Sequence, residues 1–121
     1  MKQRITVIDD DFDLRSLLQI ALKTEGFDVE AFSNGDEFFQ SQSPSGSTDL
    51  YIIDINLGGI SGTEICKVLK STNKEVKPLV LLISANPEIQ QLATDAGADS
   101  WILKPVTQKE LISRVDLLLN R

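Results

Sequence analysis

Five short apolar runs, each stopped by a polar residue and followed by a stretch with helical spacing, limit the folds open to this chain more than anything else in it. The first, Ile5-Thr6-Val7-Ile8, is β-branched and halts at Asp9-Asp10-Asp11, as a buried strand does on reaching the edge of its sheet. From Asp11 the period changes. Leu14, Leu17, Leu18, Ala21 and Leu22 recur at three- and four-residue spacing, with Asp11 placed to cap a helix and Gly26 to end it. Residues 29–32 read as a second strand, and Asn34-Gly35 as the turn into a helix carrying Phe38 and Phe39. The polar stretch 41–48 is a loop too short to separate one domain from another.

Leu50-Tyr51-Ile52-Ile53 is the third run, ended by Asp54, and a helix is predicted over 61–70 with Ile65, Val68 and Leu69 on its apolar side. Pro78 opens Leu79-Val80-Leu81-Leu82-Ile83, whose unbroken apolar character implies burial on both faces, as in a parallel sheet. Ser84 ends it. A helix over 87–95 stops at Gly97, Ser100-Trp101-Ile102-Leu103 forms a fifth strand, and Leu111, Ile112, Val115, Leu118 and Leu119 mark a last amphipathic helix. Five strand-helix pairs in 121 residues predict one α/β domain over 1–121 with a doubly wound, five-stranded parallel sheet. In such folds the strands' carboxyl ends converge on one crevice, and here they carry Asp9-Asp10, Asp54, Ser84 and Lys104.

Composition narrows the chemistry. The chain has no histidine, which excludes Ser-His and Cys-His nucleophiles, histidine metal ligands and a phosphohistidine of its own. Its one cysteine, Cys66, cannot form an internal bridge, so a reducing compartment is expected, and its place beside Ile65 and Leu69 suits a small buried hydrophobe. Eighteen acidic residues against twelve basic leave a net charge of -6, which opposes binding to nucleic acid or to an anionic membrane. With no apolar run of membrane-spanning length, a soluble, cytoplasmic protein is expected.

Four carboxylates within five positions, Asp9, Asp10, Asp11 and Asp13, repel one another unless a cation or a basic side chain lies among them. A hard cation such as Mg2+, which takes one or two carboxylates, a carbonyl oxygen and phosphate oxygens, suits a site built from two strand ends. An EF-hand calcium loop counted from Asp9 fails, with Leu14 where glycine is needed and Ile20 where the bidentate glutamate belongs. Gly58, Gly59 and Gly62 after Asp54 let the backbone approach a ligand, and their amides, with the start of the next helix, are candidates to receive an anion. Lys104 is placed to neutralise the acids or to hold a phosphoryl oxygen. Together these groups suit phosphoryl transfer onto a carboxylate, with Asp54 as nucleophile and Ser84, Lys104 and loop amides around the phosphoryl oxygens.

In these residues the sequence resembles the receiver domain of two-component response regulators along nearly its whole length. The family's acidic pair after the first strand corresponds to Asp9-Asp10, its phosphoacceptor to Asp54, its hydroxyl residue to Ser84 and its Lys-Pro pair to Lys104-Pro105. The resemblance implies a flavodoxin-like (βα)5 fold with strand order 2-1-3-4-5. It also implies Mg2+ held by Asp10, Asp54 and the main-chain carbonyl of Asn56, with Asp9 acting through water. Further implied are a sensor histidine kinase or histidine phosphotransfer protein as phosphoryl donor, and a downstream effector or a fused output domain as the receiver of the signal. Two positions depart from the family pattern. Gly58 replaces the usual proline, loosening the loop after Asp54, and Trp101 stands at the switch position usually held by Tyr or Phe.

Two rival readings fit less well. A haloacid-dehalogenase-type phosphatase would use the Asp9-x-Asp11 spacing, but Asp13 stands where that motif has Thr or Val, a substrate cap is missing, and Asp54 would have no role. A pseudo-receiver, a scaffold that is never phosphorylated, is disfavoured by the intact polar set.

Overall fold

The computed structural model describes residues 2–41, 48–71 and 78–121, so residues 42–47 of the expected polar loop lie outside the described residues. Strands and helices alternate as β1 (Arg4–Ile8), α1 (Phe12–Thr24), β2 (Asp28–Phe32), α2 (Gly35–Gln40), β3 (Leu50–Asp54), α3 (Gly62–Lys70), β4 (Leu79–Ser84), α4 (Ile89–Ala96), β5 (Ser100–Leu103) and α5 (Gln108–Leu118). All strand pairs are parallel and the sheet order is β2-β1-β3-β4-β5. The expected doubly wound, flavodoxin-like sheet is therefore observed.

The two-residue period of the strands divides the core between two faces. Ile5 and Val7 of β1, Leu50 and Ile52 of β3, Leu81 and Ile83 of β4 and Ile102 of β5 pack with Leu18, Ala21 and Leu22 of α1 and Leu111 and Val115 of α5. Ile8, Ile53, Val80 and Leu82 belong to the opposite face, with Phe38 of α2, Ile65 and Cys66 of α3 and Ile89, Ala93 and Ala96 of α4. Helices on both faces are why β4 reads as an unbroken apolar run.

The helix ends follow local chemistry. The Asp11 side chain caps α1, Asn34 caps α2, Ser61 caps α3 and Thr107 caps α5, while Gly97 ends α4 at a φ of 81°. Helix α4 begins at Ile89, two residues later than its spacing predicts. Two apolar assignments are corrected. Leu17 of α1 and Val68 of α3 are both more than half exposed. A helix advances about 100° per residue, so the buried stripe of α3 runs through Gly62, Ile65, Cys66 and Leu69 and leaves Val68 to one side.

Gly62 decides how closely α3 approaches β3. A Cβ at this position would lie 2.2 Å from the main-chain oxygen of Asp54 and 2.7 Å from Ile55 Cα, both backbone atoms that cannot rotate away. Its N–H donates to the Ile55 carbonyl at 2.9 Å. That amide is committed to the fold and is not free to receive an anion. Gly62→Ala should therefore lower the free energy of unfolding by about 3 kcal/mol or more, whereas Gly58→Ala, with open space around it, should change it by less than about 1 kcal/mol. Urea denaturation of the two variants checks this, and equal stabilities would refute it.

Candidate functional site

Parallel register gathers the polar residues at one edge of the sheet. Asp9 directly follows β1, Asp54 is the last residue of β3, Ser84 the last of β4, and Lys104 directly follows β5. Asp54 pairs with Ile83 and Ser84 with Leu103, so the ends of β3, β4 and β5 lie side by side. The Lys104 amide donates to the Ser84 carbonyl at 2.8 Å, which fixes the lysine's backbone to β4.

From there the Lys104 ammonium reaches Asp54 and donates to its Oδ2 at 2.9 Å. The other Asp54 oxygen, Oδ1, accepts from the Asn56 amide at 3.0 Å, and the residue is only 2% exposed. Burial works against the lysine's charge, but the hydrogen bond and charge of Asp54, joined by Asp9 and Asp11, outweigh it and hold Lys104 above its ordinary value.

Asp9 is fully buried. Its Oδ1 accepts from the Asp11 amide at 2.9 Å, and its Oδ2 is the one buried side-chain polar atom among the described residues with no hydrogen-bond partner. Carboxylate oxygens of Asp9, Asp10 and Asp54 lie within 4.8 Å of one another, with Asp10 on the exposed side. Burial above all pushes the Asp9 carboxyl up to about 6, with the charges of Asp54 and Asp10 adding to it and the Asp11 amide and Lys104 opposing it. Three clustered carboxylates, one of them on a residue with a buried oxygen that has no partner, fit a hard divalent cation.

Of the residues singled out from the sequence, Asp9, Asp10, Asp54 and Lys104 form this cluster. Ser84 is fully buried at the adjoining strand end, where its hydroxyl accepts from the Asn86 amide at 3.0 Å. Asn56 enters through its amide. Trp101 is partly buried against the α3/α4 side of the sheet, and Arg114 of α5 lies over its ring at 5.7 Å while donating to its carbonyl at 2.6 Å. Cys66 is buried and its thiol pushed up to about 11, chiefly by that burial, as suits a packing residue. Arg15, which the sequence pattern did not single out, donates to the Asp9 carbonyl at 2.8 Å. A basic residue one turn into a helix that starts at an acidic cluster was the signal available.

The carboxyl edge of a doubly wound sheet, where this pocket lies, is where proteins of this fold class gather their functional groups. The family follows from comparison: the model of the response regulator receiver domain matches residues 5–116, and the chain belongs to that family, as the receiver domain of a two-component response regulator. It is 35% identical over its full length to the DNA-binding response regulator MtrA of Mycobacterium tuberculosis, and 32% identical over its full length to the alkaline phosphatase synthesis transcriptional regulatory protein PhoP of Bacillus subtilis. It covers 52% of MtrA and 50% of PhoP, and so spans about half the length of the curated relatives it matches. The crystal structure of the response regulator TrrA of Thermotoga maritima, in complex with Mg2+ and beryllofluoride, superposes with a TM-score of 0.82 at 32% identity, covering 96% of this chain and 98% of that one. These matches lend nothing to the phosphatase alternative. Among the described residues no helix is long and apolar enough to cross a membrane.

The buried charge of Asp9 has a consequence for stability. Its carboxyl titrates near 6 when folded and near 3.8 when unfolded, so the folded state holds the proton more tightly. Asp9 therefore opposes folding at pH 7 and above, by up to ~3 kcal/mol, and the opposition fades as the pH falls through 6. Asp9→Asn should raise the melting temperature by several degrees at pH 7.5 in EDTA, and the gap to wild type should narrow at pH 5. Thermal melts monitored by circular dichroism test this, and a less stable variant at pH 7.5 would contradict it.

Proposed function

We propose that residues 1–121 act as one receiver domain that takes a phosphoryl group onto Asp54 from the phosphohistidine of a sensor histidine kinase or a histidine phosphotransfer protein. The observation that carries this reading is the Lys104–Asp54 pair beside the buried, partnerless oxygen of Asp9. Mg2+, held by Asp10, Asp54 and the Asn56 carbonyl with Asp9 through water, would supply the positive charge that lets an anionic phosphoryl group approach an anionic carboxylate.

The chain's own groups account for the rest. A carboxylate attacks without first losing a proton, so Asp54 needs no base and the absence of histidine is no obstacle. An oxygen–phosphorus bond forms as the donor's phosphorus–nitrogen bond breaks, and the departing imidazole nitrogen takes a proton from water. Once Asp54 is an acyl phosphate, its carboxylate charge is gone and Lys104 turns to a phosphoryl oxygen. The Asn56 amide, bonded to Asp54 Oδ1, and the Ser84 hydroxyl at the end of β4 would serve the other oxygens. The only turnover is on the domain itself, by hydrolysis of its own phosphoaspartate. Loss of Lys104 from Asp54 is felt along β5, whose Trp101 belongs to the face made by α4, β5 and α5, and the output is a changed protein-binding surface there. A downstream effector or a fused output domain reads that surface. The single reduced cysteine and the acidic charge agree with work in the cytoplasm, with no membrane and no direct contact of this domain to nucleic acid.

With acetyl phosphate and Mg2+, the intact mass should rise by one phosphoryl group, and beryllofluoride with Mg2+ should shift Trp101 fluorescence. Asp54→Ala and Asp54→Asn should show neither change. No Mg2+-dependent change in wild type, or an equal change in the variants, would overturn the assignment, and turnover of a generic phosphate ester would restore the phosphatase reading.

A further inference from the structure

Asp9 carries four polar atoms, and the fold satisfies three of them. Its amide donates to the Phe32 carbonyl at 3.1 Å, its Oδ1 accepts from the Asp11 amide at 2.9 Å, and its carbonyl accepts from Arg15 at 2.8 Å. Two of these partners are main-chain groups, and Arg15 is the only side chain among the three. The carbonyl it holds lies in the peptide that joins Asp9 to Asp10, so one donor fixes the plane from which both carboxylates project.

Arg15 is itself held in place. It sits in the first turn of α1, where its amide donates to the Asp11 carbonyl at 2.9 Å, and its guanidinium lies 5.5 Å from the ring of Phe12. It is partly buried and forms no ion pair with a carboxylate among the described residues. A cation that follows Asp9, Asp10, Asp11 and Asp13 in the chain yet bonds a neutral carbonyl is placed for geometry rather than for pairing with a carboxylate.

We infer that Arg15 is a positioning residue which, by holding the Asp9–Asp10 peptide, keeps the two carboxylates aimed at a common divalent cation. The inference rests on the magnesium reading of the site. It has a sign that separates it from a purely electrostatic role, because removing a nearby positive charge would strengthen cation binding, whereas losing the support weakens it.

Magnesium titration by calorimetry tests the inference on wild type, Arg15→Ala and Arg15→Lys, each checked for folding by circular dichroism. Arg15→Ala should bind about tenfold more weakly, and Arg15→Lys, which keeps an N–H donor within reach of the carbonyl, should recover most of the loss. In metal-free protein the Asp10 amide resonance should move in Arg15→Ala and return toward its wild-type position in Arg15→Lys. Unchanged or tighter magnesium binding in Arg15→Ala, or a weakening that lysine does not relieve, overturns the role of Arg15 alone. A wild type that binds no magnesium overturns the metal reading of the site together with it.

Discussion

Lys104 reaches from the end of β5 across the end of β4 to place its ammonium 2.9 Å from Asp54 at the end of β3, and the electrostatics of the whole pocket turn on that contact. Three carboxylates whose oxygens lie within 4.8 Å repel one another, and the repulsion is felt most strongly where Asp9 is buried. The lysine offsets one of them. It does so from a strand that does not neighbour β3, which works only because the Lys104 amide is bonded to the Ser84 carbonyl and the register sets Ser84 against Leu103.

One ammonium against three carboxylates leaves an imbalance, and the imbalance is concentrated at Asp9. That residue is fully buried, has an oxygen without a partner, and is held by hydrogen bonds to its amide, carbonyl and other oxygen so that it cannot turn away. A domain selected only for stability would place an uncharged residue there. Keeping a carboxylate at the cost of stability is the pattern expected where a group waits for a ligand that completes it. Lys104 directly follows β5, the strand that carries Trp101, whose carbonyl accepts from Arg114 of α5.

Much of this was legible in the chain. The alternation of apolar runs with helical spacing, and the acids that stop the first and third runs, were enough to place Asp9, Asp54, Ser84 and Lys104 at one edge. Leu17 and Val68 look apolar in a linear reading, yet which stripe of a helix is buried depends on its rotation against the sheet. Gly62 looked like one of three loop glycines suited to a ligand, whereas its missing Cβ is required by the Asp54 carbonyl and its amide is spent on Ile55. Arg15 is one basic residue among twelve until α1 is laid against the end of β1.

The sequence by itself determined the secondary structure, the parallel sheet and the set of polar residues at its carboxyl edge, because strand and helix periods and strand-ending acids are local properties of the chain. The tertiary structure decided how those residues divide their work. Whether a carboxylate is paired with lysine, bonded to an amide or left buried and alone depends on register and helix docking between segments up to fifty residues apart, as with Asp54 and Lys104. No local spacing specifies those distances, and at this site they separate the balanced charge of Asp54 from the unbalanced charge of Asp9.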